Sequence, residues 1–482
     1  MKNIKSNEVA VLVSGPFNKP FDYSVESKKD GVYVGQVVLV PFGKRKNVGI
    51  IVGEGTRTIP KEKLKRIEAI YEINPIPQPS IELINFLANW YCAYKGLVLK
   101  MVLSPVEAIT STEYKKVYKS KFQDSDEIEE INKYKITSKR KLILDFLFKS
   151  KQAVFQEDLI DNTGVSKSIL KDMTKKNLIV EELVKKQAYS NLKVPNYNKM
   201  KFEINKLLNS EQKNAVEKIN VSIKKKKPDC FLLDGVPGSG KTETYFQTVK
   251  TCLDEGKQIL ILLPEISLTP DWEKRFHQSF SFAPLVWHSG ITKTKKKQIW
   301  LSALNSSAGV IVGARSALML PILNLGLIIV DEEHDPAFKQ EEGVRYNARD
   351  MAIYKAIRSS VPIVLASATP SLETYHNMKI GKYIHLTLPK RATGAALPDI
   401  KLIDLKANTP ERGKWISSVL TNEIKSKLDN REQSLLFLNR RGYAPLTICN
   451  SCGNKIKCVN CETWLVEHRS QNTLVCHHCG YT

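Results

Sequence analysis

The stretch Gly235-Val236-Pro237-Gly238-Ser239-Gly240-Lys241-Thr242 fits the phosphate-binding loop pattern at every fixed position. A short apolar run, Phe231-Leu232-Leu233, precedes it and a helical segment follows. Its glycines let backbone N–H groups curl around the β- and γ-phosphates of a nucleotide. The next helix starts there with the positive end of its dipole. Lys241 is placed to neutralise the phosphates and the Thr242 hydroxyl to ligate Mg2+.

The pattern around the loop repeats. Ile259 to Leu263 runs into Pro264-Glu265, and Val310-Ile311-Val312 into Gly313-Ala314-Arg315. Leu327-Ile328-Ile329-Val330 runs into Asp331-Glu332-Glu333-His334, and Ile363-Val364-Leu365 into Ser367-Ala368-Thr369. Continuous apolar strands separated by helical segments predict a parallel sheet covered on both faces. Such sheets carry their ligand sites at the carboxyl ends of the strands, where these motifs fall. Asp331 is suited to hold Mg2+, and Glu332 to orient and deprotonate an attacking water, because phosphoryl transfer needs positioning and charge neutralisation above all.

At 482 residues the chain is too long for a single core, and an apolar fraction of 42% supports several folded domains. No run approaches the roughly 18 apolar residues of a membrane span, and no long apolar segment follows Met1-Lys2-Asn3-Ile4-Lys5-Ser6. A cytosolic protein with no membrane partner is therefore expected. A net charge of +23 attracts phosphate backbones through counterion release, although a solvated basic surface without a dedicated ligand carries the same charge.

Ahead of the parallel-sheet region, residues 8 to 105 alternate apolar and polar positions between glycines and prolines. Val9–Val13, Gln36–Val40 and Val48–Val52 read as strands, and Ile81–Tyr94 as a helix that closes a small β-rich unit. Residues 110 to 195 are lysine-rich. Leu142, Ile143, Phe146 and Leu147 share one helical face and Ile169, Leu170 and Met173 another, with a turn and a candidate N-cap at Ser166 between them. Both a winged helix-turn-helix and a charged helical linker fit. Of nine cysteines, Cys92, Cys230 and Cys252 sit alone, whereas six form Cys449-x2-Cys452, Cys458-x2-Cys461 and Cys476-x2-Cys479. Repeated CxxC knuckles in a cytosolic chain indicate tetrahedral Zn2+.

A phosphate loop, an Asp-Glu-Glu-His box and Ser367-Ala368-Thr369-Pro370, in that order, resemble the superfamily-two helicases. Leu263–Thr269, Val312–Ala317 and the segment Asp335–Tyr346 resemble one branch, the bacterial primosomal replication-restart helicases. So do Phe21-Asp22-Tyr23 and Pro41-Phe42-Gly43-Lys44. This resemblance implies an α/β multidomain fold. A β-rich domain binding a DNA 3′ end (1–108) and a winged-helix-like basic domain (109–196) would precede a RecA-like, ATP-binding parallel-sheet lobe (197–390). The start of a second lobe (391–448) and an incomplete zinc-knuckle region (449–482) would follow. Gln212 matches the family's adenine-reading position, and is otherwise a polar helix residue. His334 would contact the Ser367-Ala368-Thr369 motif. Lys241, Asp331, Glu332 and His334 would carry catalysis. Phe21, Asp22, Gly43 and Lys65 would line a pocket for the terminal nucleotide, although Phe21 and Phe42 also suit a core. Arg315, Phe338, Lys339, Arg345 and Tyr346 would meet DNA, the two aromatics by stacking on bases, although that loop also suits packing beside the motor. Cys458, Cys461, Cys476 and Cys479 would complete one zinc site, and Cys449 and Cys452 half of a second.

The implied activity is an ATP-dependent, 3′ to 5′ helicase, with ATP, Mg2+ and Zn2+ as cofactors, that recognises stalled or branched forks and starts primosome assembly. Its partners would be branched and single-stranded DNA, other primosome proteins, single-stranded-DNA-binding protein and the replicative helicase loader. Its place would be the cytoplasm, at the nucleoid. Leu435-Leu436-Phe437-Leu438-Asn439-Arg440-Arg441-Gly442-Tyr443 resembles the first motif of the second lobe, and the family continues past Thr482. A truncated chain is thus expected, binding ATP and DNA but hydrolysing and unwinding poorly, because a motor of this kind works by closing two lobes on ATP. A non-catalytic, ATP-gated fork-binding scaffold and a different superfamily-two translocase are the competing readings.

Overall fold

The computed structural model describes residues 3–4, 6–25, 31–57, 59–104, 114–121, 137–150, 153–185, 208–264, 270–391, 399–411, 414, 416–437, 454–461, 465–468, 473–476 and 481–482. It divides into two compact units, Met1–Ala395 and Ala396–Thr482.

Five strands near the start of the first unit, β1 (Glu8–Val13), β2 (Phe21–Ser24), β3 (Val37–Phe42), β4 (Arg45–Glu54) and β5 (Ala69–Ile70), belong to one sheet. They form an antiparallel sheet in the order β2-β1-β4-β3-β5. The β3–β4 hairpin turns through Gly43 and Lys44, and Gly43 takes φ 59°, a left-handed value that costs glycine little. Val9, Val11, Val13, Val38, Val40 and Ile51 bury one face of this sheet.

Two helices follow, α1 (Gln78–Trp90) and α2 (Lys95–Val102). The single helix expected over Ile81–Tyr94 ends earlier, because Cys92 adopts φ 52° and breaks the run. Gly96 lets α2 lie against the end of β1: a Cβ there would stand 2.4 Å from the carbonyl oxygens of Val13 and Gly15. The two helices do more than close the β-rich region. Leu83, Leu87, Val98, Leu99 and Val102 join the same buried cluster as Trp300, Leu318, Ile328 and Met351 of the parallel-sheet lobe.

The basic region folds as β6 (Tyr114–Ser120), α3 (Ser138–Ser150), β7 (Val154–Phe155), α4 (Gln156–Thr163), α5 (Lys167–Lys175) and β8 (Ile179–Lys185). Its antiparallel strands run β8-β6-β7. Ile143, Leu147, Leu159, Leu170 and Met173 form a core of their own. The expected turn at 162–166 joins α4 to α5, with Ser166 at the N-cap of α5. This arrangement of helices and wing strands is the winged helix-turn-helix rather than the linker.

The lobe itself is wound from α6 (Ser210–Lys225), β9 (Cys230–Gly235), α7 (Lys241–Asp254), β10 (Gln258–Leu262), α8 (Pro270–Phe280), β11 (Leu285–Trp287), α9 (Lys293–Leu304), β12 (Val310–Gly313), β13 (Leu325–Asp331), α10 (Ala348–Ser359), β14 (Ile363–Ser367), α11 (Leu372–Lys379) and β15 (Ile384–Leu388). Seven parallel strands lie in the order β11-β12-β10-β13-β14-β9-β15. Residues along β10 alternate between the two covered faces. Leu260 and Leu262 pack on the side of α9, α10, α1 and α2, and Ile259 and Ile261 on the side of Phe246, Phe276 and Phe280. That alternation is why each strand reads as an unbroken apolar run.

In the second unit, α12 (Ser418–Asp429) is capped by the Ser417 side chain, which accepts from Leu420 N. A hairpin, β16 (Val466–His468) and β17 (Thr473–Val475), stands beside a small cluster of Cys458, Leu465 and Cys476. Leu435, Leu436 and Phe437 are exposed. The remainder of that expected motif, Leu438 to Tyr443, lies outside the described residues. Among the described residues no helix is long and apolar enough to cross a membrane.

Candidate functional site

The glycine loop joins the carboxyl end of β9 to α7. Gly238 at φ 78° and Gly240 at φ 82° occupy left-handed backbone, so a side chain at either position would be strained. Gly235 is needed for space: a Cβ there would meet Ser239 Oγ at 2.5 Å. The Lys241 ammonium is folded into the loop, donating to the Gly235 carbonyl at 2.8 Å. Gln212 supports the loop from α6. Its Nε2 donates to the Ser239 carbonyl at 2.8 Å, and its Oε1 accepts from Asn209 N at 2.9 Å. Asn209 Oδ1 accepts in turn from Gln212 N at 2.8 Å, closing a capping box.

Asp331 stands at the carboxyl end of β13, with Glu332 next to it. Both line a cavity of about 530 Å3 together with Gln212, Lys241, Thr242, Arg275 and Ala368. Burial pushes the Asp331 carboxyl up to about 6. A hydrogen bond from Tyr245 pulls it back down, and the neighbouring Glu332 adds to the rise. Tyr245 donates to Asp331 Oδ2 at 2.9 Å and accepts from Trp272 Nε1 at 3.1 Å. Oδ1 accepts from Glu332 N at 3.1 Å. Glu332 takes φ 49°, unusual for a residue with a side chain. A buried carboxylate facing the loop that carries Thr242 is the donor set a hard divalent cation prefers, so the residues present fit Mg2+.

His334 is not among the cavity's lining residues. Its Nδ1 lies 2.7 Å from Ser367 Oγ and 3.6 Å from Glu332 Oε2, and Ser367 Oγ accepts from Thr369 N at 3.0 Å. The acidic box and the Ser367-Ala368-Thr369 turn are thus joined side chain to side chain, as the resemblance implied for His334.

Sequence reasoning assigned no role to Tyr245, Trp272, Arg349 or Glu333. Glu333 is 1% exposed, and its two oxygens receive four donors. Ser371 N donates to Oε1 at 2.7 Å; Arg349 Nη1, Ser371 Oγ and Thr374 Oγ1 donate to Oε2 at 3.1, 3.1 and 2.9 Å. No signal in the sequence singles it out, because an acidic run after a strand is as readily a solvated loop.

The residues expected to meet DNA divide. Phe338 and Tyr346 are 2% and 1% exposed, and both belong to the main core. This corrects the expectation of base stacking: no ring face is open to a base. Arg315 is also committed. Its Nη1 donates to the carbonyls of Ala337 and Lys339 at 3.2 and 3.0 Å, and its own carbonyl accepts from Tyr346 Oη at 3.4 Å. Arg315 therefore braces the 335–346 loop from a half-buried position. Lys339 and Arg345 are exposed. Of the matched segment Leu263–Thr269, residues 265–269 lie outside the described residues.

In the N-terminal sheet, Phe21 packs with Phe17 and Phe42 at centroid distances of 5.5 and 5.1 Å. Asp22, on the other face of β2, accepts from Thr56 N at 3.0 Å and from the Thr56 hydroxyl, both through Oδ2. Lys65 is exposed, and its carbonyl accepts from Ser24 N at 3.0 Å. Phe21 thus joins the aromatic group that precedes the Gly43 turn, and Lys65 borders the same strand.

Cys458, Cys461 and Cys476 bring their sulfurs within 4.8 Å of one another, with Cys461 and Cys476 3.4 Å apart. Three converging thiols on a knuckle and a hairpin fit a thiophilic tetrahedral ion. Cys449, Cys452 and Cys479 lie outside the described residues.

Known proteins match each of these parts. Residues 9–104 match the family described as "3'DNA-binding domain (3'BD)", residues 209–378 the "DEAD/DEAH box helicase" family, and residues 458–482 the "PriA DNA helicase Cys-rich region (CRR) domain". The replication restart protein PriA of Rickettsia conorii is 48% identical over 274 residues, which cover 57% of this chain and 42% of that protein. That of Haemophilus influenzae is 36% identical, covering 98% of this chain and 64% of the relative. That of Bacillus subtilis is 30% identical, covering 98% and 67%. The chain thus spans between about two-fifths and two-thirds of these relatives' length. With a 3′-DNA-binding domain, a helicase box domain and a cysteine-rich domain matched in order, the chain belongs to the replication restart protein PriA family.

Proposed function

We propose that this chain is the ATP-binding and fork-recognising part of a DNA helicase that restarts replication. It would translocate 3′ to 5′ and prepare forks for primosome assembly. The observation that carries this reading is the single cavity lined by Lys241, Thr242, Asp331 and Glu332, set in the same compact unit as the matched 3′-DNA-binding domain.

Each residue has a part in this reading. Lys241 leaves the Gly235 carbonyl to meet the phosphates, while the amides of Gly238, Ser239 and Gly240 surround them. Gln212 keeps Ser239 oriented and meets the adenine edge. Asp331 and Thr242 hold Mg2+, which when bound neutralises the phosphate charge. Glu332, aimed by its left-handed backbone, orients the water and takes its proton. His334 reports the state of the box to Ser367 and so to the nucleic-acid track. Phe21, Asp22, Gly43 and Lys65 form the receptor for a terminal nucleotide, with Lys339 and Arg345 contacting phosphates elsewhere. Cys458, Cys461 and Cys476 hold Zn2+ with Cys479. Single-stranded-DNA-binding protein, other primosome proteins and the replicative helicase loader are the partners that this role implies, in the cytoplasm at the nucleoid.

The test is binding and DNA-stimulated hydrolysis of ATP on a fork with a free leading-strand 3′ end, beside Lys241→Ala. Nucleotide binding lost about ten- to a hundredfold in the variant, with fork binding kept, is the expected result, given the roughly 1.5–3 kcal/mol of a hydrogen bond to a charged group. Equal nucleotide binding by both proteins would remove the ATP site from this cavity.

A further inference from the structure

Helix α10 touches both the N-terminal domain and the acidic box. On one side it is docked to α1. Tyr354 stacks on Phe86 with centroids 3.9 Å apart and planes 9° from parallel, and Arg358 pairs with Glu82. At its N-terminus the backbone N–H of Asn347, its N-cap, donates to the Tyr91 hydroxyl at 3.1 Å. On the other side, two residues along, Arg349 N donates to the capping oxygen Asn347 Oδ1 at 3.0 Å. The Arg349 guanidinium then reaches Glu333 Oε2 at 3.1 Å and Ser371 Oγ at 2.6 Å.

Glu333 is the anchor of the box. Its side chain is fully buried, and its backbone N–H donates to the Ala366 carbonyl at 3.1 Å. The residue before it, Glu332, holds a left-handed conformation that a side-chain-bearing residue adopts only when its surroundings over-determine it. The four donors on the Glu333 carboxylate supply that constraint. Any displacement of the α10 N-terminus changes the Arg349 contact first, then Glu333, then the orientation of Glu332 and His334 on either side.

We propose that Glu333 and Arg349 are positioning residues of the nucleotide site, and that Tyr91 makes their placement depend on the N-terminal domain. The proposal rests on the reading of the cavity as an ATP site and of the N-terminal sheet as a receptor for DNA 3′ ends. Occupancy of one site then alters affinity at the other, because linkage between two ligands is reciprocal.

The test uses the whole chain and a fluorescent, non-hydrolysable ATP analogue with Mg2+. Its affinity is measured with and without a saturating duplex carrying a recessed 3′-hydroxyl. In the unaltered protein the DNA changes analogue affinity about fivefold or more, at the low end of known couplings. Tyr91→Phe, which keeps the ring and loses only the acceptor, leaves the DNA-free affinity within about twofold. Its response to DNA falls below about twofold. Arg349→Lys, which cannot hold Asp350 through a second nitrogen while its ammonium meets Glu333 and Ser371, weakens the analogue about fivefold in the absence of DNA, with the chain still folded by circular dichroism. A full DNA response in Tyr91→Phe overturns the proposal, as does an unaltered protein with no response at all. An analogue that does not bind, or that binds equally to Lys241→Ala, instead sinks the ATP-site reading and this inference with it.

Discussion

The side-chain amide of Gln212 donates to the carbonyl of Ser239 at 2.8 Å, tying the first helix of the motor lobe to the tip of the glycine loop. Gln212 is 4% exposed, and its oxygen is already used by Asn209 N. One side chain therefore caps α6 and braces the loop, besides standing where an adenine is expected.

Those roles separate by substitution. Gln212→Glu keeps an acceptor for Asn209 N and loses the donor to Ser239, whereas Gln212→Ala loses both. The alanine variant should lose about 1 kcal/mol of stability, the usual cost of an N-terminal cap, and the glutamate variant at least as much, because a buried carboxylate oxygen would face the Ser239 carbonyl. Both should bind nucleotide more weakly, and preference for ATP over GTP should shrink in both. Melting curves and competition binding measure this. An alanine variant as stable as the parent would show that the bracing contributes nothing.

The cysteine cluster predicts a separable metal. Cys476 is fully buried, and its sulfur is 3.4 Å from that of Cys461. Cys476→Ser should reduce bound zinc, measured by elemental analysis, and lower the melting temperature of the second unit. Analogue binding at the first unit, a compact body of its own, should stay within about twofold of the parent. Unchanged zinc content in this variant would place the ion elsewhere.

A pH effect follows from Lys355, which is 1% exposed in the main core. Its Nζ donates to the carbonyls of Leu318 and Leu320 at 2.7 and 2.8 Å, closing the turn that follows Arg315. Burial lowers its pKa from 10.5 to about 7. Between these values the unfolded chain holds a proton that the folded chain has released, so stability rises with pH through that window. The burial penalty is felt in full below about pH 7. Lys355→Met removes the titrating group and leaves two carbonyls unpaired, which costs about 1–3 kcal/mol each at most. Urea unfolding at roughly pH 6.5 and 9.5 should therefore show the parent gaining on the variant as pH rises. A difference that does not change with pH would mean that Lys355 stays charged.

Much of this was legible in the sequence, for physical reasons that differ by region. Strands buried on both faces, such as Leu325–Asp331, announce themselves as apolar runs, and the motifs at their ends lie where strand ends must. The glycine loop was readable because Gly238 and Gly240 need conformations that other residues avoid. Contacts between distant segments left no such trace. Phe338 and Tyr346 suit stacking and packing alike in the sequence, because aromatics among basic residues look the same whether a base or a core receives them; the core does. Glu333 and Arg349, and Tyr245 with Asp331, are partners that only the fold brings together. Likewise α1 looked like the lid of the β-rich sheet. Its buried residues alternate as any amphipathic helix does, and nothing in them names the surface that covers them.

Asp22 offers the sharpest test of the N-terminal receptor. Phe21 turns to one face of β2, into the aromatic group with Phe17 and Phe42, and Asp22 turns to the other. Both donors from Thr56 fall on the same oxygen, Oδ2, so the carboxylate is oriented by the fold and not by a counter-ion. A carboxylate so held accepts well from a terminal 3′-hydroxyl and repels a terminal 3′-phosphate. Asp22→Asn keeps the shape and the acceptor for Thr56 but removes the charge. It should weaken binding of a 3′-hydroxyl duplex about tenfold, the value of roughly 1.4 kcal/mol, and improve binding of the 3′-phosphate duplex. Fluorescence anisotropy with the two ends compares them directly. If both duplexes weaken equally, Asp22 serves the sheet alone; if neither changes, the terminal nucleotide is received elsewhere on the domain.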